Sequence, residues 1–276
     1  MLLEKKTYYY ASRFLIIFVV FIYLIPIYWI ILTSLKSSSD ISAQIPQFFF
    51  RITFENYQKL VESQYFSQLR NSIIIGFTST ILAVVIGTLS AYAFSRFKVS
   101  GEDDLLFFIL STRMLPPIVI IIPVYLMYTV LRLRDTHFGL ILLYTTFNLS
   151  FAVWLMKGFI DEIPTEYEDA ALVDGYTRFQ AFRMIVLPQA ATGIAATAVF
   201  CLITAWNEFA FALVLTEVGG NTITAPPSIV SATGKTGYDW GKVAAGTFIF
   251  LVPIAIFTFL VRKHLLRGVT FGAIKK

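Results

Sequence analysis

Six runs of apolar residues, each close to the length of a membrane-crossing helix, constrain this chain more than any other feature. They are Phe14–Leu32, Asn71–Phe94, Leu105–Val130, Phe138–Phe159, Ala190–Leu215 and Val243–Val261. A helix needs about 20 such residues to cross roughly 30 Å of hydrocarbon. The runs predict an all-α integral membrane fold with six transmembrane helices, arranged as a single transmembrane domain over 1–276. Composition agrees: 57% of the 276 residues are hydrophobic and 14% are charged, whereas a soluble domain is nearer one quarter charged. The third run contains Pro116, Pro117 and Pro123. Those rings remove backbone donors, so this span is expected to be kinked or broken, with its freed carbonyls facing protein or water. The first run follows Lys5, Lys6 and Arg13. It exceeds the roughly 7–15 apolar residues of a signal peptide and no small-x-small site follows, so it reads as an uncleaved span.

Charge sets the expected orientation. The net charge is +5, but the cations flank apolar runs, the pattern of membrane topology rather than of nucleic-acid binding. With the N-terminus inside, the inner segments carry thirteen Lys and Arg and the outer segments eight, with Arg113 inside a span. Both termini are therefore expected in the cytoplasm, which places residues 161–188 there too. The single cysteine, Cys201, excludes an internal disulfide and a cysteine metal site, and reads as a small buried residue. His137 and His264 stand at span ends without metal-ligand spacing and read as solvated or interfacial.

The cytoplasmic stretch is unusually structured. Thr165 precedes Glu168 by three residues, and Thr177 precedes Gln180 by three. Each is a capping-box pattern, in which two side chains satisfy orphan amide donors reciprocally. Gly175 falls where the first helix should stop, because glycine tolerates the left-handed conformation. Pro188 is expected to end the second, since the residue before a proline disfavours helix. The result is a helix–Gly–helix loop with arms of about 8–10 residues, too short to be stable alone in water. Tyr167, Ala170 and Ala171 form a small face on one arm; Phe179, Phe182 and Val186 recur at helical spacing on the other. The residues leave two readings open: an amphipathic loop resting on its own bundle, or a dock for a partner.

The spacing carries a resemblance. Asp169-Ala170-Ala171, then Gly175, then Ile185-x-Leu187-Pro188 resembles, in register, the EAA loop of permease subunits in binding-protein-dependent ABC importers. Asp169 replaces the glutamate of that pattern, with Glu168 just before it, and both carboxylates are candidates. Thr53–Tyr57 (TFENY), Ala205–Phe209 (AWNEF) and Arg267–Lys276 (RGVTFGAIKK) are similar to the sugar-importer, maltose-permease-like branch. The resemblance implies a non-catalytic permease subunit moving a sugar or polyol. It implies two ATP-binding subunits, which hold the ATP and Mg; a second, related permease; and an extracytoplasmic solute-binding protein. No cofactor belongs to this chain, and its other surroundings are membrane lipid, not nucleic acid. By the same likeness Glu168, Asp169, Ala170, Ala171, Gly175, Phe179, Phe182, Leu187 and Pro188 would dock an ATPase subunit. Gly268, Thr270, Gly272 and Lys275 would form a C-terminal tail contact, and the outer loop at Gly234, Lys235, Thr236 and Gly237 would probe the binding protein.

Four polar residues interrupt the spans: Arg113, Asn148, Asn207 and Glu208. Such residues cost a few kcal/mol in lipid, so they either line a hydrophilic path or lock helices by hydrogen bonds. In ideal helices Arg113 and Glu208 would differ in depth by roughly 15 Å, too far to pair unless the prolines compress the third span. Gly234–Thr236 (GKT) is not a P-loop, because the glycine required five residues earlier is Ile229. A membrane-embedded enzyme would need a nucleophile or metal set, and none is visible. A stand-alone secondary transporter would show inverted repeats and has no use for a twice-capped loop.

Overall fold

The structure, a computed structural model, describes residues 2–45, 47–217, 219–234 and 237–271. The chain is helical nearly throughout and divides into two compact units, Met1–Phe66 with Ser228–Val252 and Ser67–Pro227 with Pro253–Lys276. In chain order the helices are α1 (Leu2–Ser34), α2 (Ser38–Ile41), α3 (Glu55–Val61), α4 (Tyr65–Arg96), α5 (Glu102–Ser111), α6 (Pro117–Val130), α7 (His137–Asp161), α8 (Glu166–Val173) and α9 (Arg178–Ala181). They continue as α10 (Leu187–Gln189), α11 (Ala191–Trp206), α12 (Ala210–Leu215), α13 (Ala225–Val230) and α14 (Trp240–Phe271). The short strands β1 (Thr233–Gly234) and β2 (Gly237–Tyr238) pair antiparallel.

Four helices are long and apolar enough to cross a membrane among the described residues: α1 from Ser12, α4, α7 and α14 to Val261. Two bent pairs raise the number to six if each pair is one span. The third apolar run is one of them. It breaks at Leu115–Pro116 after a 3-10 turn, Thr112–Met114, and α5 and α6 meet at 96°. This is the break that the prolines lead one to expect. The fifth run departs from expectation. It is not one helix over Ala190–Leu215: α11 ends at Trp206, and α12 restarts at Ala210. The second bent pair joins Arg178–Gln189 to α11 at 72°.

In the first unit, Asn56 is buried and its amide donates to the carbonyls of Ser34 and Lys36, at 3.0 and 2.8 Å. It thereby satisfies an orphan carbonyl at the end of α1. Tyr65 donates to the carbonyl of Gly246 at 2.6 Å. In the second unit the core lies along α7. One cluster gathers Ile75, Tyr128, Leu140 and Phe211; another gathers Tyr92, Met156, Ile160 and Phe182. Between them α4 and α7 approach at backbone distance. A Cβ on Gly87 would lie 2.6 Å from the Cβ of Ala152, the small-residue packing typical of membrane helices.

Candidate functional site

The loop over residues 161–188 forms as helix, glycine, helix. Gly175 has φ +89°, the left-handed stop expected of it. The box at Thr177 is complete: Gln180 N–H donates to the Thr177 hydroxyl, and Thr177 N–H donates to the Gln180 side chain at 2.8 Å. The box at Thr165 does not form. Thr165 makes no side-chain cap bond, because its expected partner Glu168 turns inward to a stronger one. Glu168 Oε1 accepts from Arg96 Nε at 2.5 Å, and Oε2 accepts from the Tyr92 hydroxyl at 2.7 Å. A charge-assisted bond of this kind is roughly twice as strong as a neutral cap.

The second arm ends at Gln189, one residue past Pro188, but Leu187 before the proline stays helical. The coil widens into a π turn over Phe182–Val186, in which Leu187 N–H reaches the carbonyl of Phe182. The wider coil carries the chain through Pro188, one residue before the arm ends. The helical arm therefore runs from Arg178 to Gln189.

The residues expected to face a partner divide in two. Glu168, Ala171 and Phe182 are buried in this chain, with the Phe182 ring tilted against that of Tyr92 at 4.6 Å between centroids, and Leu187 packs partly against the same cluster. Asp169, Ala170, Gly175 and Pro188 are exposed, and Phe179 is 67% exposed. Beside them stand two apolar side chains that the sequence reading left aside, Val173 at 87% and Met184 at 59% exposure. Arg96 and Tyr92 were missed as partners of the loop. Their spacing of four, which puts both on one face at the end of a span, is the signal that could have found them.

In the spans, Arg113, Asn148 and Glu208 come together. All three line one cleft of about 270 Å³, with Tyr144, Thr204 and Phe211. The break in the third run brings Arg113 to the same cleft as Glu208, although no ion pair joins them among the described residues. Glu208 is half-buried and caps α12: its oxygens accept from Phe211 N–H at 2.9 Å, Ala212 N–H at 3.0 Å and the Tyr144 hydroxyl at 2.8 Å. Asn148 is buried and its amide donates to the carbonyl of Cys201 at 3.1 Å, tying α7 to α11. Its Oδ1 has no partner among the described residues. Asn207 is exposed and bonds back to Ile203 O within its own helix, at 2.8 Å. Arg113 is exposed, with its guanidinium 5.7 Å from the Phe151 ring. Cys201 is fully buried.

At the start of α7, His137 is not merely solvated: it shares a hydrogen bond with Asn71 at 3.0 Å, and Asn71 in turn donates to the carbonyls of Asn221 and Ile223. Gly234 and Gly237 sit in the two short strands; Lys235 and Thr236 lie outside the described residues. Gly268 and Thr270 fall in α14, while Gly272 and Lys275 lie outside the described residues.

Comparison with known proteins bears on what this arrangement serves. Residues 83–269 match the family described as binding-protein-dependent transport system inner membrane component. The chain is 37% identical to the trehalose transport system permease protein SugB of Mycobacterium tuberculosis, over 91% of this chain and 92% of that one. It is 32% identical to the diacetylchitobiose uptake system permease protein DasC of Streptomyces coelicolor, over 91% of each. A chain from the crystal structure of a bacterial ABC transporter involved in import of the acidic polysaccharide alginate has the same fold. The TM-score is 0.78 at 21% identity, covering 95% of this chain and 98% of that one. The chain belongs to the binding-protein-dependent transport inner-membrane family, and it is the permease subunit of an ABC importer.

Proposed function

We propose that this permease imports a sugar or polyol, and that residues 161–188 are its dock for an ATP-hydrolysing subunit. The names of the relatives, trehalose and diacetylchitobiose permeases, support the solute class. One observation carries the dock. Asp169 stands exposed one helical turn before the exposed Val173, and Phe179 is exposed on the second arm of the same loop. Apolar groups grouped around a charge on a membrane protein's aqueous face favour a protein partner over water. Glu168 is already paired within the chain, so Asp169 is the carboxylate left for a basic residue of that partner.

In this reading both termini and the loop are cytoplasmic, in keeping with the Lys and Arg excess there. ATP and Mg are held by two partner subunits, and this chain performs no catalysis. A second, related permease completes the pathway to which Arg113, Asn148, Asn207 and Glu208 contribute. An extracytoplasmic binding protein delivers solute to the outer loop around Gly234–Gly237, and the tail with Gly268, Thr270, Gly272 and Lys275 meets the ATPase pair.

The test is charge reversal. Asp169→Lys is expected to reduce copurification of the ATPase subunits and abolish transport while the permease still reaches the membrane. Reversal of the partner's basic residue should partly restore both. The solute for the assay is the sugar or polyol that raises the melting temperature of the cognate binding protein. Unchanged assembly and transport in Asp169→Lys would mean that the loop rests on its own bundle and docks nothing.

A further inference from the structure

The two arms of the loop are held by different forces. The second arm buries Ala181, Phe182 and Val186 in the cluster around Tyr92, Met156 and Ile160. In α8, among its eight residues, only Glu168 and Ala171 are buried. Its apolar anchorage is thus the Ala171 methyl and a partly buried Leu172, and a helix of this length does not sustain itself in water. A carboxylate fixes it instead. Arg96, the last residue of α4, donates Nε to Glu168 Oε1 at 2.5 Å, and Nη2 to the carbonyls of Ile160 and Ile163 at 3.2 and 2.8 Å. Tyr92, one turn earlier, donates to Glu168 Oε2 at 2.7 Å. The side chains of Arg96 and Glu168 are each only 7% exposed, so little water can replace these bonds. One planar cation therefore joins the end of α4, the end of α7 and the start of α8.

We propose that the Tyr92–Arg96–Glu168 network is the positioning link that carries a displacement of α8 into α4 and α7. The inference rests on the docking reading of the loop. So small an apolar contact can slide, whereas a forked, charge-assisted network fixes angle as well as distance. The onward path is physical and continuous. The close contact of Gly87 with Ala152 ties α4 to α7. The same helix then presents Tyr144 and Asn148 to the cleft that holds Arg113 and Glu208. Packed contacts and hydrogen-bond networks of this kind are what transmit coupling between separated sites.

Stability and transmission can be separated, because replacing a buried ion pair with apolar side chains often leaves a fold as stable as before. The experiment uses the permease purified with its ATPase subunits and carrying Thr204→Cys, an exposed position in the cleft. A maleimide reports access to it, with and without ATP and vanadate; Cys201, fully buried, stays unreacted. Two changes are then added separately, Tyr92→Phe and the double substitution Arg96→Met with Glu168→Leu. Both are expected to keep ATPase copurification and hydrolysis. The nucleotide-dependent change in labelling should shrink by roughly three- to tenfold in Tyr92→Phe, the scale of one net hydrogen bond, and vanish in the double variant. If the double variant does not assemble, Tyr92→Phe decides alone, since it keeps the ring that packs on Phe182. A change in labelling as large as the parent's in the assembled variants would make the network a static clamp and overturn the proposal. A parent protein that shows no nucleotide dependence would sink the docking reading itself, before any variant is compared.

Discussion

Glu168 is buried and Glu208 half-buried, and each is satisfied by a different chemistry. Glu168 meets a guanidinium and a phenol. Glu208 meets two backbone amides at a helix start and a phenol. The second arrangement costs no counter-ion, because the first amides of a helix carry partial positive charge. Glu208→Ala leaves those donors unpaired, and about 1–2 kcal/mol of stability should be lost. Glu208→Gln keeps an acceptor oxygen and should lose less. Thermal unfolding in detergent reads the order, and an alanine variant as stable as the parent would show that the cap does not matter. Asn148 is held between two helices and also lines the cleft. Its amide locks α7 to α11, while its unpaired oxygen belongs to a residue lining the cleft.

Single glycines decide two of the helical junctions, by different mechanisms. Gly175 needs its conformation: φ is +89° and a Cβ there would meet nothing within 4 Å. Gly175→Ala should therefore cost only the left-handed penalty, about 1–2 kcal/mol. Gly87 needs its space. A Cβ would press within 2.6 Å of the Ala152 side chain and 3.1 Å of its backbone, which neither helix can yield without separating. Gly87→Ala should cost about 1–3 kcal/mol as overpacking, and a larger residue there should abolish folding. Melting temperatures of purified variants test the ranking; a Gly87→Leu protein that folds and melts like the parent would contradict the close crossing. The second arm illustrates a different element-scale effect. A proline that reads as a stop is absorbed by a π turn, whose wider coil no simple spacing rule anticipates.

At the scale of the whole molecule, the expected topology places both ends of the chain on the side of the loop. The helix α14 continues past the apolar run to Phe271, so residues Arg267–Phe271 extend the last helix. Deletion of Gly268–Lys276 should leave membrane insertion intact and lower the amount of solute imported per ATP hydrolysed. A truncated importer with the parent's ratio would mean that the tail makes no contact that matters to coupling. Reporters fused at each terminus should both report cytoplasm; opposite results would overturn the topology and move the loop with it.

The sequence by itself determined the class of the molecule and the sites worth testing. Apolar run length obeys the thickness of hydrocarbon, and Asp169, Gly175 and Pro188 keep intervals that survive in one dimension. Prolines in the third run foretold its break, because a missing N–H is a local fact. Tertiary structure decided which carboxylate faces outward and which span is interrupted. Glu168 and Asp169 are neighbours in the chain and alike in chemistry. What separates them is Arg96, 72 residues away, and no local rule sees a partner at that distance. The break at Asn207–Phe209 has the same origin. The Ala190–Leu215 run is apolar enough to be one helix, and it ends early where Glu208 finds two amides and the Tyr144 hydroxyl. Burial of a charge is settled by whatever three-dimensional neighbour can pair with it, and that neighbour exists only once the helices have packed.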